Sequence, residues 1–193
     1  MSGLPDRLGS REARADEAAL VARALAGDRA ALGALVTLYE APVRRLTRAI
    51  LRNAADADDA AQEAMLSALV KLDQYDPHRP FGPWLLRIAS NAAIDRRRRQ
   101  RVREVSVLRD DVASTDALPD QQAERQALGE RLRAALDQLP ERYRLAVVLF
   151  DVEGYSHAEI ADILGVAPGT VRSAVFHARR RLRVLLHDWR EDK

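Results

Sequence analysis

Apolar residues recur at three- and four-residue intervals from Asp16 to about Arg190, and strand-like alternation is hard to find. The spacing predicts helices over residues 16–25 and 28–52, with Gly27-Asp28 between them as break and cap. A third helix starts in the acidic cluster Asp56–Asp59 and runs to about Leu72. Pro77, Pro80 and Pro83 then punctuate a loop, and a fourth helix runs from Pro83 to about Arg103, apolar at its start and arginine-rich at its end. Leu128, Leu132, Leu136 and Leu139 return to helical spacing, and Pro140 opens a further helix in the first turn, where a missing amide costs nothing.

Two stretches fall outside this rhythm. Residues 1–15 are polar, arginine-rich and aperiodic, the signature of a mobile tail. Residues 110–124 (DDVASTDALPDQQAE) hold five acidic residues, no basic one and little apolar content. Such a segment cannot bury enough surface to fold and reads as a tether over 104–124. The expected architecture is therefore all-α: a helical domain over 16–103 and a second over 125–193, joined by a flexible acidic linker.

The second domain carries the most specific local signal. Ser156-His157-Ala158-Glu159 has the spacing of a capping box, in which the serine and glutamate side chains each satisfy the other's backbone amide. Ile160, Ala161, Ile163 and Leu164 give that short helix an apolar face, Gly165 supplies a left-handed stop, and Pro168-Gly169-Thr170 starts another helix. Helix, glycine turn, helix is the helix-turn-helix plan, whose second helix reads the major groove. On that second helix Val171, Val175, Ala178, Leu182 and Leu185 form a stripe about 80° wide. Arg172, Phe176, Arg179, Arg180 and Arg183 occupy a separate sector, where guanidinium forks suit phosphates and guanine edges. A solvated surface helix is the plainer alternative, and the capped helix directly upstream weighs against it.

Charge changes the picture only when it is placed. The 193 residues carry Lys+Arg 31 against Asp+Glu 29, a formal net charge of +2, with lysine only at Lys71 and Lys193. Residues 96–103 concentrate six arginines at the end of the fourth helix, more than helix capping requires and suited to a phosphate-binding patch. Upstream, Phe81, Trp84, Arg87 and Asn91 sit at the loop-to-helix junction, aromatics beside cations as a stack for unpaired bases requires. Trp84 also shares a helical face with Leu85, Ile88 and Ala92, so a core role for it stays open.

The acidic cluster lacks the glycine and terminal glutamate of a calcium loop. On its helix Asp59, Gln62, Glu63, Leu66 and Val70 form one stripe, and Ala61, Met65, Leu69 and Leu72 a second, apolar one. A buried stripe beside a mixed one equips a helix to dock on a partner.

Other chemistry is excluded by composition. There is no cysteine, so thiolate nucleophiles and cysteine-bound zinc are absent. His78, His157, His177 and His187 make no helical ligand pair, and no nucleophile–base pair or glycine-rich phosphate loop suggests an enzyme. No cofactor is expected. No apolar run spans a bilayer and the start lacks a secretory pattern, so a cytoplasmic protein without membrane insertion is expected.

Three blocks in order, Asp56–Leu72, Phe81–Arg99 and Leu139–Arg183, resemble the bacterial RNA polymerase sigma factors, in particular their small two-domain extracytoplasmic-function group. The resemblance implies a specificity subunit that binds core polymerase and promoter DNA, with an anti-sigma factor as a further partner. It implies that Asp56, Asp59, Gln62, Glu63 and Leu66 hold the coiled coil of the largest polymerase subunit. Arg79, Phe81, Trp84, Arg87 and Asn91, with Arg96, Arg97, Arg98 and Arg99, would take the melted minus-ten strand and the adjoining duplex. Thr170, Arg172, Ser173, Phe176, Arg179 and Arg180 would read the minus-thirty-five element. Met65 stands where that group more often has an aromatic, and Ala174 and His177 where arginine is common, which reduces the base-reading set. The residues themselves leave open an autonomous helix-turn-helix regulator, which would bind DNA without polymerase.

Overall fold

The computed structural model describes residues 11–51, 53–104 and 121–187. Among these, all regular structure is helical: α1 (Arg11–Leu25), α2 (Arg29–Ile50), α3 (Ala54–Val70), a single 3-10 turn (Leu72–Gln74), α4 (Phe81–Glu104), α5 (Gln121–Asp137), α6 (Glu141–Val147), α7 (His157–Leu164) and α8 (Pro168–Leu185). A π-helical turn over Val148–Val152 prolongs α6.

Local chemistry sets most boundaries. Asp28 caps α2, accepting from the amides of Ala30 and Ala31 at 2.9 and 3.1 Å, while Arg23 reaches its other oxygen at 2.6 Å. Asn53 caps α3 by accepting from Asp56 N at 3.1 Å, so that helix begins ahead of the acidic cluster rather than within it. The helix α2 continues through the buried Pro42 because its apolar face is in the core. The expected tail is shorter than residues 1–15: α1 starts at Arg11, where Arg, Glu and Ala favour helix without an apolar stripe. Residues 1–10 lie outside the described residues. So do 105–120 of the expected linker 104–124, and its last residues, 121–124, already belong to α5.

In α1–α4 the core is built by close approach. Every buried position of α3 is alanine (Ala57, Ala60, Ala61, Ala64 and Ala68), which lets α2 and α4 pack against it. This corrects the expected stripe of Ala61, Met65, Leu69 and Leu72. Met65 is only partly buried and Leu69 is exposed, because a small side chain, not a large one, fits where helix axes come near. Leu128 and Leu132 of α5 are likewise exposed, whereas Leu139 is buried as expected. In the second domain Leu145, Leu149, Ile160, Ile163, Val171 and Val175 close the core around the helix-turn-helix.

The two domains are packed together. One continuous set of buried residues runs from Val21 and Leu35 through Leu85 to Leu149 and Ile160. Polar links cross the same boundary. Arg45 of α2 pairs through its Nε and Nη2 with the two carboxylate oxygens of Glu153, whose side chain is 3% exposed. The buried Arg144 of α6 donates to the carbonyl of Ala49 at 2.7 Å, and Arg97 of α4 pairs with Glu141. Beside them the buried Glu17 accepts from Tyr39 Oη at 2.8 Å and from Gly82 N at 3.2 Å. Gly82 is required there by contact: a Cβ would lie 2.8 Å from the Tyr39 hydroxyl and 2.5 Å from that of Tyr155.

Candidate polymerase and promoter surfaces

The outward face of α3 is opposite its alanine face. Asp59, Gln62, Glu63, Leu66 and Val70 all point to solvent, with Leu66 64% and Val70 79% exposed. These two side chains make an apolar ridge flanked by carboxylates, as the sequence predicts. Each aspartate of the cluster is held from a neighbouring helix. Asp58 takes Arg48 at 3.1 Å. Arg96 of α4 forks over Asp56 at 2.9 Å and Asp59 at 2.8 Å. The hydrogen bond to Asp56 also raises the pKa of Arg96, which keeps its charge in place.

The second surface begins at the loop before α4. Phe81 is buried, packed edge-on to Tyr39 and Tyr75 at ring separations of 5.5 and 5.3 Å, with Trp84 at 5.4 Å. It therefore supports the loop from beneath, and of the two aromatics only the half-buried Trp84 reaches the surface. Tyr75 Oη donates to the Arg79 carbonyl and Asp76 accepts from the amide of His78 at 3.0 Å, which pins the loop to the aromatic cluster. A concavity of about 400 Å³ lies between α1 and this loop, lined by Val21, Tyr75, Arg79 and Phe81.

Along α4, Trp84, Arg87, Asn91 and Arg98 fall in one outward sector about 60° wide. The structure divides the arginine run that the sequence treats as a unit. Arg98 and Arg99 are exposed, whereas Arg96 turns to α3 and Arg97 to Glu141 of the second domain. Helix geometry requires this split, since neighbours differ by about 100°.

The third surface is α8. Ser156 Oγ accepts from Glu159 N at 3.3 Å, the Glu159 carboxylate accepts from Ser156 N at 2.8 Å, and Gly165 ends α7 at φ 66. The capping box and the left-handed stop are thus as predicted. Val171, Ala174, Val175 and Ala178 are buried, and Thr170, Arg172, Ser173, Phe176 and Arg180 are exposed together. Two readings change. Ala174 faces the core, so it subtracts nothing from the solvent-facing set. Arg179 is held by Asp151 of the π turn through both its Nε, at 3.0 Å, and its Nη2, and lies 5.0 Å over the Phe150 ring. On the other side of α8, Leu132, Leu136, Val148 and Leu182 line an apolar groove of about 330 Å³. The residues that sequence reasoning missed are those between the domains: Glu17, Tyr39, Arg45, Gly82, Arg144, Glu153 and Tyr155. Arg144 gave a signal, a cation inside the apolar run of α6.

An exposed acidic-apolar α3 ridge, a basic-aromatic α4 face and a capped helix-turn-helix, all on an all-helical two-domain frame, point to the class of the RNA polymerase specificity subunits. Similarity to known proteins agrees. Residues 35–103 match the family Sigma-70 region 2 and residues 129–182 match Sigma-70, region 4. The ECF RNA polymerase sigma factor SigM of Mycobacterium tuberculosis is 40% identical over 178 residues, 92% of this chain and 88% of that protein. Among solved structures, CnrH in complex with the cytosolic domain of CnrY superposes with a TM-score of 0.66 at 29% identity, over 89% of this chain and 97% of that one. The sigma factor RpoE of Bartonella quintana, in complex with the anti-sigma factor NepR, gives 0.66 at 28% identity, over 80% and 96%.

The chain belongs to the extracytoplasmic-function group of the RNA polymerase sigma factors. It binds core polymerase and directs initiation at promoters, and the autonomous-regulator alternative is set aside. Sigma factors are not a family of enzymes. Among the described residues, no helix is long and apolar enough to cross a membrane.

Proposed function

We propose that promoter recognition is divided among the three faces, with residues 16–103 serving polymerase docking and the minus-ten element and residues 125–193 the minus-thirty-five element. The observation that carries this division is the outward sector of α4. Trp84, Arg87, Asn91 and Arg98 continue the line of the loop and its concavity along one helix face, a continuous track for a single strand. Arg79 lies at the start of that track. The α3 ridge of Asp59, Gln62, Glu63, Leu66 and Val70 takes the basic-apolar surface of the polymerase, with Asp56 at its edge. Thr170, Arg172, Ser173, Phe176 and Arg180 read duplex edges and phosphates. The protein acts as a dissociable subunit in the cytoplasm, lending specificity to a catalyst it does not itself contain.

The packed domains cannot serve both promoter elements at once. Elements about 25 base pairs apart are separated by ~85 Å of duplex. A compact chain of this length has a radius of gyration of ~16 Å and measures ~40 Å across. Residues 105–120, at ~3.5 Å each, reach at most ~55 Å. The domains therefore separate on polymerase and are held there at promoter spacing, so that the second contact becomes intramolecular.

An anti-sigma partner is part of this reading. The exposed Leu66–Val70 ridge and the apolar groove beside α8 both suit an amphipathic helix, and RpoE is a sigma factor seen bound to an anti-sigma factor.

Run-off transcription with purified core polymerase across a promoter library tests the whole reading, and promoter-specific starts are the expected result. Reversing charge at Asp59 and Glu63 is expected to weaken core binding at least tenfold, about 1.4 kcal/mol or more, with helicity by circular dichroism unchanged. Loss of helicity, or unchanged core affinity, contradicts the assignment of the α3 ridge.

A further inference from the structure

Arg96 lies in the arginine run, yet its geometry separates it from the DNA track. On α4 it is about 160° from Arg98 and faces α3. Its Nε and Nη2 donate to Asp56 Oδ1 at 3.1 and 2.9 Å, and the same Nη2 donates to Asp59 Oδ2 at 2.8 Å. Its side chain is 27% exposed. To hold a phosphate it would have to leave both carboxylates and bring an anion beside them, an exchange that like charges oppose.

We propose that Arg96 is a positioning residue of the polymerase-docking face: its planar fork fixes Asp56 and Asp59 of α3 in one arrangement before core polymerase arrives. The proposal rests on the assignment of the α3 ridge to polymerase. A carboxylate offers about four acceptor sites, so one oxygen held by Arg96 leaves the other able to accept from a partner cation. Asp59 is 61% exposed and would otherwise sample several rotamers. Fixing it lowers the ordering cost of the complex without adding a contact. A lysine has no fork and cannot bridge two carboxylates in the same way.

The test uses the full chain. Arg96→Gln is expected to weaken binding to purified core polymerase about tenfold, measured by fluorescence anisotropy. Once holoenzyme is assembled at saturating core, its affinity for a single-stranded minus-ten oligonucleotide should stay within about twofold of wild type, while Arg98→Gln should lower that affinity. In a double-mutant cycle, Arg96→Gln should cost much less in an Asp59→Asn background than in wild type. Arg96→Lys should recover only part of the loss. Arg48→Gln, which removes the comparable pair with Asp58, controls for a general loss of helix packing and should leave core affinity near wild type. Unchanged core affinity in Arg96→Gln with weakened strand binding would make Arg96 a phosphate ligand and overturn the proposal. Additive costs in the cycle, or an equal loss in Arg48→Gln, would also overturn it. A wild-type chain that fails to bind core would remove the parent reading as well, and that result is distinguishable because it precedes any variant.

Discussion

Tyr39, Tyr75 and Tyr155 are the residues at which burial has the clearest chemical consequence. Burial pushes all three phenols up, with Tyr75 raised to about 12, and the Glu17 carboxylate adds to the effect on each. A phenol whose pKa is raised on folding is kept neutral by the native state. The unfolded chain then binds fewer protons above pH 10, so stability is fully present below about pH 10 and is lost as pH rises towards 12. An absorbance titration at the tyrosinate band is expected to show these three phenols ionising together with loss of helicity in that window. Independent ionisation near pH 10, before any unfolding, would contradict the buried cluster. At this scale the sequence was only partly informative. The capping residues Asp28, Ser156 and Glu159 act on amides two or three positions away, so their roles were legible in order along the chain. The partners of Glu17 and Arg45, and the Ala49 carbonyl that Arg144 reaches across the boundary, lie 22 to 108 positions away, and no local pattern announces them.

Elements were legible where a stripe has a strong contrast and misplaced where it does not. The face of α8 was readable because valine and arginine differ so sharply. The buried face of α3 is not the one hydrophobicity favours, because alanine scores below methionine and leucine although it is alanine that lines the contact with α2 and α4. The corrected register gives the exposed ridge its direction, since Asp59, Leu66 and Val70 stand opposite Ala57, Ala64 and Ala68. Ala64, fully buried, is therefore a sensitive position. Ala64→Leu is expected to overpack the α2–α3–α4 contact and cost about 1–3 kcal/mol, read as a lower midpoint in chemical unfolding. Leu66→Ala, on the exposed side, should leave that midpoint within about 0.5 kcal/mol of wild type. Equal costs at the two positions would return α3 to the register suggested by Met65 and Leu69.

For the whole molecule, sequence gave two domains and structure gave their packing, and the second fact constrains function more. The same Arg97 that the sequence assigns to DNA is paired with Glu141, and the same Glu153 that ends the π turn is buried against Arg45. Release of the second domain would expose these groups and part of the shared apolar core, so on the proposed division of roles promoter engagement has to overcome an internal interface. The absence of cysteine lets two be introduced without background labelling, at the exposed positions Ala34 and Asp162. Energy transfer between dyes at those sites is expected to be high in the free chain and to fall on adding core polymerase with promoter DNA. Arg45→Glu sets two carboxylates against each other and should lower transfer in the free chain. Pairing it with Glu153→Arg restores opposite charges and should recover much of it, a rescue that simple misfolding cannot produce. If the free chain transfers weakly, the packed form is not its resting state. If transfer stays high in a complex that initiates correctly, the domains do not separate on polymerase and the proposed division of roles between elements ~85 Å apart fails. On the proposed division of roles the interface acts as a threshold, which polymerase and promoter together would overcome where neither DNA element does alone.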